Sequence, residues 1–202
     1  MKIAILGAGN IGGTLGKKWL AAGHEVIFGV RDGQSVKTKA SLENVGGKIR
    51  AVSVEEAVRF GEVVLVSVPW GAVPDLVTAH ASGLANKIIL DATNNFAGPV
   101  INNIERIKEK APSATIYRAF NSLGWELFAN PQFGQTQVDM FYSGPDDAHR
   151  PVVEDLIKEI GVRPIWVGDN DRAVIVDNVG ALWVTLVFQR GRSRRIAFKL
   201  LE

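Results

Sequence analysis

The sequence predicts an α/β protein built on a doubly wound, parallel sheet, and two observations lead there. Short apolar, β-branched runs alternate with segments of helical periodicity along nearly the whole chain. The run at 63–68 is almost unbroken in apolar residues, as a central strand covered on both faces requires. Taken in order, 3–6 reads as a strand and 24–29 as a second. Between them, 10–22 is a helix with Ile11, Leu15, Trp19 and Leu20 at helical spacing and Gly23 closing it. A helix over 35–44 and a short strand at 49–52 follow. Ser53 caps a helix over 54–60, whose first turn holds Glu55 and Glu56 where the helix dipole favours negative charge. After the central strand come a helix at 72–81, a strand at 87–91 and a helix at 100–110. Strands at 115–120, 140–143 and 163–167 and a helix at 151–160 complete the alternation. Residues 171–189 read as one long helix. Its apolar positions, among them Val174, Val179, Leu182 and Leu186, nearly encircle it, so either the sheet or a second chain must cover it; a homodimer interface is the preferred reading. The expected organisation is a first domain over 1–120 and a smaller α/β cap over 121–202, for substrate binding or dimerisation.

Composition narrows the chemistry. A chain of 202 residues, 47% hydrophobic and 22% charged, buries a sizeable core without staples. The lack of cysteine excludes disulfides, zinc–thiolate and iron–sulfur sites and thiol catalysis. His24, His80 and His149 are not spaced as metal ligands and no acidic cluster replaces them, so no metal is expected. With 23 basic against 21 acidic residues, nucleic acid is not an expected partner. The basic cluster Arg190, Arg192, Arg194 and Arg195 reads first as a solvated helix end and second as an anion contact. The N-terminus runs straight into a strand, and no apolar run reaches the roughly 18–20 residues that span a bilayer. A cytoplasmic protein without signal peptide or membrane segment is expected.

Gly7-Ala8-Gly9-Asn10-Ile11-Gly12 matches G-x-G-x-x-G in the context the pattern needs: a strand before it, a helix opening inside it, a second strand beyond. Gly7 permits the tight turn, Gly9 leaves room for a pyrophosphate, and Gly12 lets helix and strand lie close. The helix mouth presents unpaired N–H groups to the phosphates. This is the signature of a Rossmann dinucleotide-binding domain. The second strand ends Gly29-Val30-Arg31-Asp32. Arg31 is placed to clamp a ribose 2′-phosphate, with Lys37 and Lys39 adding to the field, and Gly29 stands where an NAD-type acid often sits; these favour NADP. Asp32 favours NAD if it points inward, and an Arg31–Asp32 surface pair is the plain alternative.

Together with Gly29-Val30-Arg31, Ser67-Val68-Pro69-Trp70, Asp91-Ala92-Thr93-Asn94-Asn95, Arg118-Ala119-Phe120-Asn121-Ser122 and Ala197-Phe198-Lys199-Leu200-Leu201, the glycine motif resembles the coenzyme F420-dependent NADP oxidoreductases, relatives of the STEAP reductase domains. The resemblance runs nearly end to end. It implies an N-terminal Rossmann domain, a smaller C-terminal domain and an active site in the cleft between them. By resemblance, Ala8, Gly9, Asn10 and Ile11 hold the pyrophosphate and Val30 and Arg31 meet the 2′-phosphate. Val68, Pro69 and Trp70, after Ser67, line the path from adenosine to nicotinamide, and Asn121 lies near the nicotinamide as an orienting residue. Val30 replaces a hydroxyl residue common in the family, and Asn121 a histidine found in some deazaflavin-reducing members.

No Ser–His–Asp or Lys-base constellation is evident, which suits hydride exchange between two planar cofactors better than alcohol oxidation. Thr93, Asn94 and Asn121 are candidates to hydrogen-bond the carboxamide or the acceptor ring, with turn and cap duty as the alternative. Trp125 and Phe128 read as an acceptor-pocket wall or, more simply, as core. The expected activity is hydride transfer between NADP(H) and a small-molecule acceptor, flavin-like or coenzyme F420 itself. The alternatives are a non-catalytic NADP(H)-binding redox sensor and a small-substrate NADP-dependent dehydrogenase.

Overall fold

The computed structural model describes residues 1–33, 38, 40, 43 and 50–202. The helix expected over 35–44 lies, apart from three residues, outside the described set, as do Lys37 and Lys39. Among the described residues, six parallel strands form one sheet in the order β3-β2-β1-β4-β5-β6. These are β1 (Lys2–Leu6), β2 (Glu25–Gly29), β3 (Arg50–Val52), β4 (Val63–Val66), β5 (Ile88–Asp91) and β6 (Thr115–Arg118). The order reverses between β1 and β4, and that switch point is where an open α/β sheet leaves a crevice beyond its carboxyl ends. Ile5 pairs with both Phe28 and Leu65, and β4 is buried at every position. The doubly wound sheet read from the sequence is therefore the fold.

Helix α1 (Asn10–Ala21) follows β1, and α2 (Val54–Phe60) follows β3, capped by the Ser53 hydroxyl, which accepts from the Glu56 N–H at 3.1 Å. The single helix expected at 72–81 is two, α3 (Val73–Ala79) and α4 (Ala81–Leu84), because His80 leaves helical geometry at φ −123°. Helix α5 (Ile104–Lys110) begins four residues later than the sequence suggests. Asn102 and Asn103 explain the delay: their side chains bond Asp177, Thr93 and nearby backbone instead of letting a helix run through them. Strand β6 stops at Arg118 rather than 120, since Phe120 takes a left-handed φ of 62°.

The remainder holds α6 (Trp125–Ala129), a small hairpin β7 (Gln132–Phe133) and β8 (Thr136–Gln137), β9 (Asp139–Tyr142), α7 (Arg150–Glu159), β10 (Arg163–Trp166) and α8 (Ala173–Val184). The sequence showed neither α6 nor the hairpin; both are too short for a periodic signal. Strand β9 pairs parallel with β10. Helix α8 continues as a π-helical turn over Thr185–Gln189, so the long helix expected to 189 is present. One apolar core runs across residue 120. Trp19 of α1 packs edge-on against Phe120 at 5.7 Å and donates its indole N–H to the Leu156 carbonyl at 3.0 Å. Phe128 is wholly buried against Phe120, so it serves as core rather than as a pocket wall. The C-terminal segment is held by Asp139, whose carboxylate accepts from Arg163, Lys199 and the Leu200 N–H, and by Arg194, which pairs with Glu126. No helix of the described residues is long and apolar enough to cross a membrane.

Candidate functional site

A cleft of about 790 Å³ opens at the carboxyl ends of β1, β2 and β4. Its floor is the glycine turn, and the three glycines have separable reasons. Gly7 has φ +103°, and a Cβ there would stand 2.8 Å from the Ser67 carbonyl oxygen. At Gly12 a Cβ would sit 2.4 Å from the Gly7 carbonyl oxygen and 2.9 Å from Ile5 Cγ2, so only glycine lets α1 lie this close to β1. Gly9 differs: a Cβ would meet nothing within 4 Å, because it would project into open space at the helix mouth. That opening, beside the unpaired first-turn N–H groups of α1 and with no acidic residue in that turn, fits a diphosphate.

Of the residues expected from the sequence, Gly7, Ala8, Gly9, Ile11, Val30, Arg31, Ser67, Val68 and Pro69 line this cleft together. Asn10 and Gly12 belong to the first turn of α1. Arg31 is exposed at the β2 end of the cleft and makes no ion pair among the described residues. Gly29 has a packing reason of its own: a Cβ there would meet Ala57 Cβ and Leu6 Cδ2, each at 2.8 Å. Its lack of a carboxylate is thus no vote between NAD and NADP. Ser67 turns its hydroxyl inward, donating to the Leu6 and Gly7 carbonyls at 3.1 and 3.2 Å, and so braces the turn. Trp70 lies outside the cleft lining. Its indole N–H donates to the Asn102 carbonyl at 3.2 Å, and the Arg106 guanidinium stacks 4.0 Å from its ring. Asp75 and Leu76 of α3 and His80 just after it also line the wall and were not picked out from the sequence. A helix that reaches the cleft only through tertiary packing leaves no motif.

Thr93, Asn94 and Asn121 gather beyond the ends of β5 and β6 around a buried charge cluster that sequence reading missed. Arg118 is 0% exposed. Its Nε donates to Asp177 Oδ1 at 2.8 Å, its Nη1 to the Asp91 carbonyl at 2.9 Å and its Nη2 to Asn94 Oδ1 at 2.6 Å. The Asp91 carboxylate, also fully buried, accepts from the Thr93 hydroxyl at 2.6 Å and from the Thr93 and Asn103 N–H groups at 3.0 and 2.9 Å. Asp177 on α8 further accepts from Asn102 Nδ2 at 2.6 Å and Asn121 Nδ2 at 3.3 Å. Removing one member of such a set would strand the others without partners. Thr93 is therefore occupied by structural bonds, while Asn121 keeps one polar atom, Oδ1, unpartnered. Ala92, the first residue past β5 and next to Thr93, also lines the cleft.

Comparison with known proteins places this geometry. Residues 2–95 match the family described as NADP oxidoreductase, coenzyme F420-dependent. The resemblance read from the sequence is thereby borne out. The chain is similar to the F420-dependent NADP reductase of Methanothermobacter thermautotrophicus, 26% identical over 221 residues that cover 99% of this chain and 94% of the relative. It is 27% identical to the metalloreductase STEAP3 of Rattus norvegicus over 172 residues, which cover 83% of this chain but only 34% of that protein. Its fold matches the crystal structure of a candidate F420-dependent NADP reductase from Arthrobacter sp. FB24, with a TM-score of 0.86 over the whole of both chains at 24% identity.

Proposed function

We propose that the protein is an NADP(H)-dependent oxidoreductase that passes hydride between the nicotinamide and a flavin-like acceptor, with coenzyme F420 the first candidate. One observation supports this above the others: a cleft at the sheet's switch point whose floor is open only at Gly9 and whose outer end carries Arg31. In this reading the α1 mouth binds the diphosphate and Arg31 the 2′-phosphate. Val68 and Pro69, which line the same cleft, would flank the rest of the dinucleotide. NADPH supplies the hydride, so the chain need only bind and align two planar rings and keep water away, and alignment alone is worth up to roughly 7–11 kcal/mol of barrier. The family and the relatives named for F420-dependent NADP reduction support the acceptor class.

Steady-state assays with NADPH and NADH against F420, FMN and FAD test this. Turnover with F420 and NADPH is expected, and tight NADPH binding without turnover of any acceptor would replace the enzyme with a redox-sensing module. In Arg31→Ala, the preference for NADPH over NADH should fall about tenfold, the scale of one hydrogen bond to a charged group. An unchanged preference would remove the clamp. A homodimer belongs to the same proposal. Val174 and Leu182 are 58% and 49% exposed and, eight residues apart, share one face of α8. Sedimentation of wild type against Leu182→Glu, with dimer expected only for the former, tests it.

A further inference from the structure

Two of the four arginines that follow α8 are held within the chain. Arg194 pairs with Glu126 and lies over the Trp183 and Phe188 rings, 5.2 and 5.4 Å from their centroids. Arg195 donates to the Gln132 carbonyl at 3.2 Å, beside the Phe133 ring. Arg190 and Arg192 are exposed, and their guanidinium groups meet no partner among the described residues. At the opposite end, just before α8, the carboxylates are nearly as open. Asp169 makes no side-chain hydrogen bond to the turn it precedes, and Asp171 is paired only with its exposed neighbour Arg172, at 3.3 Å. Between these ends, the 12 residues of α8 and the 5 of its π-helical turn span about 25 Å. Val176, Asp177, Gly180, Trp183 and Val187 are buried on the inward side, whereas Val174, Ile175, Leu182 and Phe188 are 58, 43, 49 and 64% exposed. Val174, Asn178, Leu182 and Thr185 follow one another at helical spacing, so the outward side is one continuous face without charge.

We propose that a second copy of the chain docks on this face with the two α8 helices antiparallel, Arg190 and Arg192 of each copy clasping Asp169 and Asp171 of the other. The inference rests on the homodimer named above and adds which surfaces meet and in which direction. An apolar strip with an acidic end and a basic end complements itself only when reversed. A parallel pair would set arginine beside arginine and aspartate beside aspartate, whereas the antiparallel pair turns both ends into attractions. A two-fold axis at Ala181 gives the register. Val174 and Phe188 each lie seven positions from it, Asp171 ten, and Arg190 and Arg192 nine and eleven. Val174 of one copy then covers Phe188 of the other, whose ring is braced edge-on by Trp183 at 6.0 Å. Asp177, which binds Arg118, lies on the inward side of the same helix, so the pairing also fixes the element that closes the buried cluster.

The chain has no cysteine, so each introduced thiol is unique. Full-chain variants are oxidised and read on a denaturing gel, with sedimentation equilibrium alongside. Leu182→Cys, one position from the axis, should link to its own copy. Val174→Cys should not, because its two copies lie about 21 Å apart along the pair and a disulfide needs Cα atoms within about 7 Å. Val174→Cys mixed with Phe188→Cys should link. Self-linking of Val174→Cys would mean a parallel pair and overturns the inference, as does a wild type that sediments as a dimer while none of these links forms. A wild type that stays monomeric overturns the homodimer itself. Charge reversal tests the clasp. Arg190→Glu with Arg192→Glu, and separately Asp169→Lys with Asp171→Lys, should each weaken the dimer about tenfold or more, and mixing the two variants should restore it, since both ends then attract again. Unchanged dimer strength in both, or a loss of acceptor affinity with the dimer unaltered, overturns the clasp. Should a reversed variant not fold, the wild-type dimer constant at low and high salt makes the same comparison, and a constant that does not weaken with salt overturns it too.

Discussion

Gly9→Ala separates what holds the fold from what holds the nucleotide. The backbone at Gly9, φ −76° and ψ −174°, is one that any L residue adopts, and an added Cβ meets no atom within 4 Å. Two small effects oppose each other in the free protein. Alanine stiffens the unfolded chain, which stabilises by about 0.4–1 kcal/mol. It is also a poorer helix N-cap than glycine, at a cost of about the same size. The net change is expected within about 0.5 kcal/mol, or roughly 2 °C in Tm for a chain of this length. Binding should respond quite differently. The methyl group stands where the diphosphate must approach the amides, and losing one hydrogen bond to a charged oxygen costs about 1.5–3 kcal/mol, roughly 10- to 100-fold in Kd. Scanning fluorimetry of the free protein and calorimetry with NADPH measure both. An unchanged Kd would refute the assignment of the open glycine to the diphosphate, and a large fall in Tm would refute the claim that the space there is free.

Gly12→Ala should behave in the opposite manner. Three contacts under 3.0 Å await its Cβ, one of them a backbone oxygen, and overpacking of about 1–3 kcal/mol outweighs a helix-propensity gain of about 1 kcal/mol at most. A drop of several degrees in Tm without ligand is expected, and an unchanged Tm would mean that α1 shifts at no cost. Arg118→Met leaves Asp91 and Asp177 buried without their shared cation; a loss of about 3–5 kcal/mol, read as a lower urea midpoint, is expected, and an unaltered midpoint would show that the cluster holds nothing. Asp139 supplies a pH test. Burial pushes its pKa up, but the donors from Arg163, Lys199 and Leu200 outweigh that and hold it below the ordinary 3.8. Because the folded value is the lower one, its contribution is complete above about pH 4 and is lost as pH falls through the lowered value. Asp139→Asn should therefore cost Tm at neutral pH, with the gap to wild type closing in acid; a constant gap would contradict the assignment.

The glycine turn at the floor of the cleft was legible in the sequence because its requirements are local. A turn with positive φ, a gap above the backbone and a close helix–strand contact each demand glycine at a fixed offset within six residues, and the valine run at 63–66 announces a strand with no solvent-facing side. The buried polar cluster beyond β5 and β6 was not legible, since Arg118 and Asp177 lie 59 positions apart and neither residue type signals burial. The same holds for Asp75 and His80, which line the cleft only because α3 packs beside β4. Trp70 shows the converse: Ser67, Val68 and Pro69 of its segment line the cleft, but the Trp70 indole is held by Asn102 and Arg106 and is not part of the lining.

The amino-acid order alone determined the parallel α/β alternation, the glycine cradle and the cation at the end of β2, because each depends on neighbours within a turn or a strand. Tertiary structure alone decided that two aspartates and an arginine share a dry site, that the Ser67 hydroxyl serves the turn, and that the Asn121 side-chain oxygen is buried without a partner. Those outcomes depend on which surfaces exclude water together. A linear pattern of residue types holds no record of that.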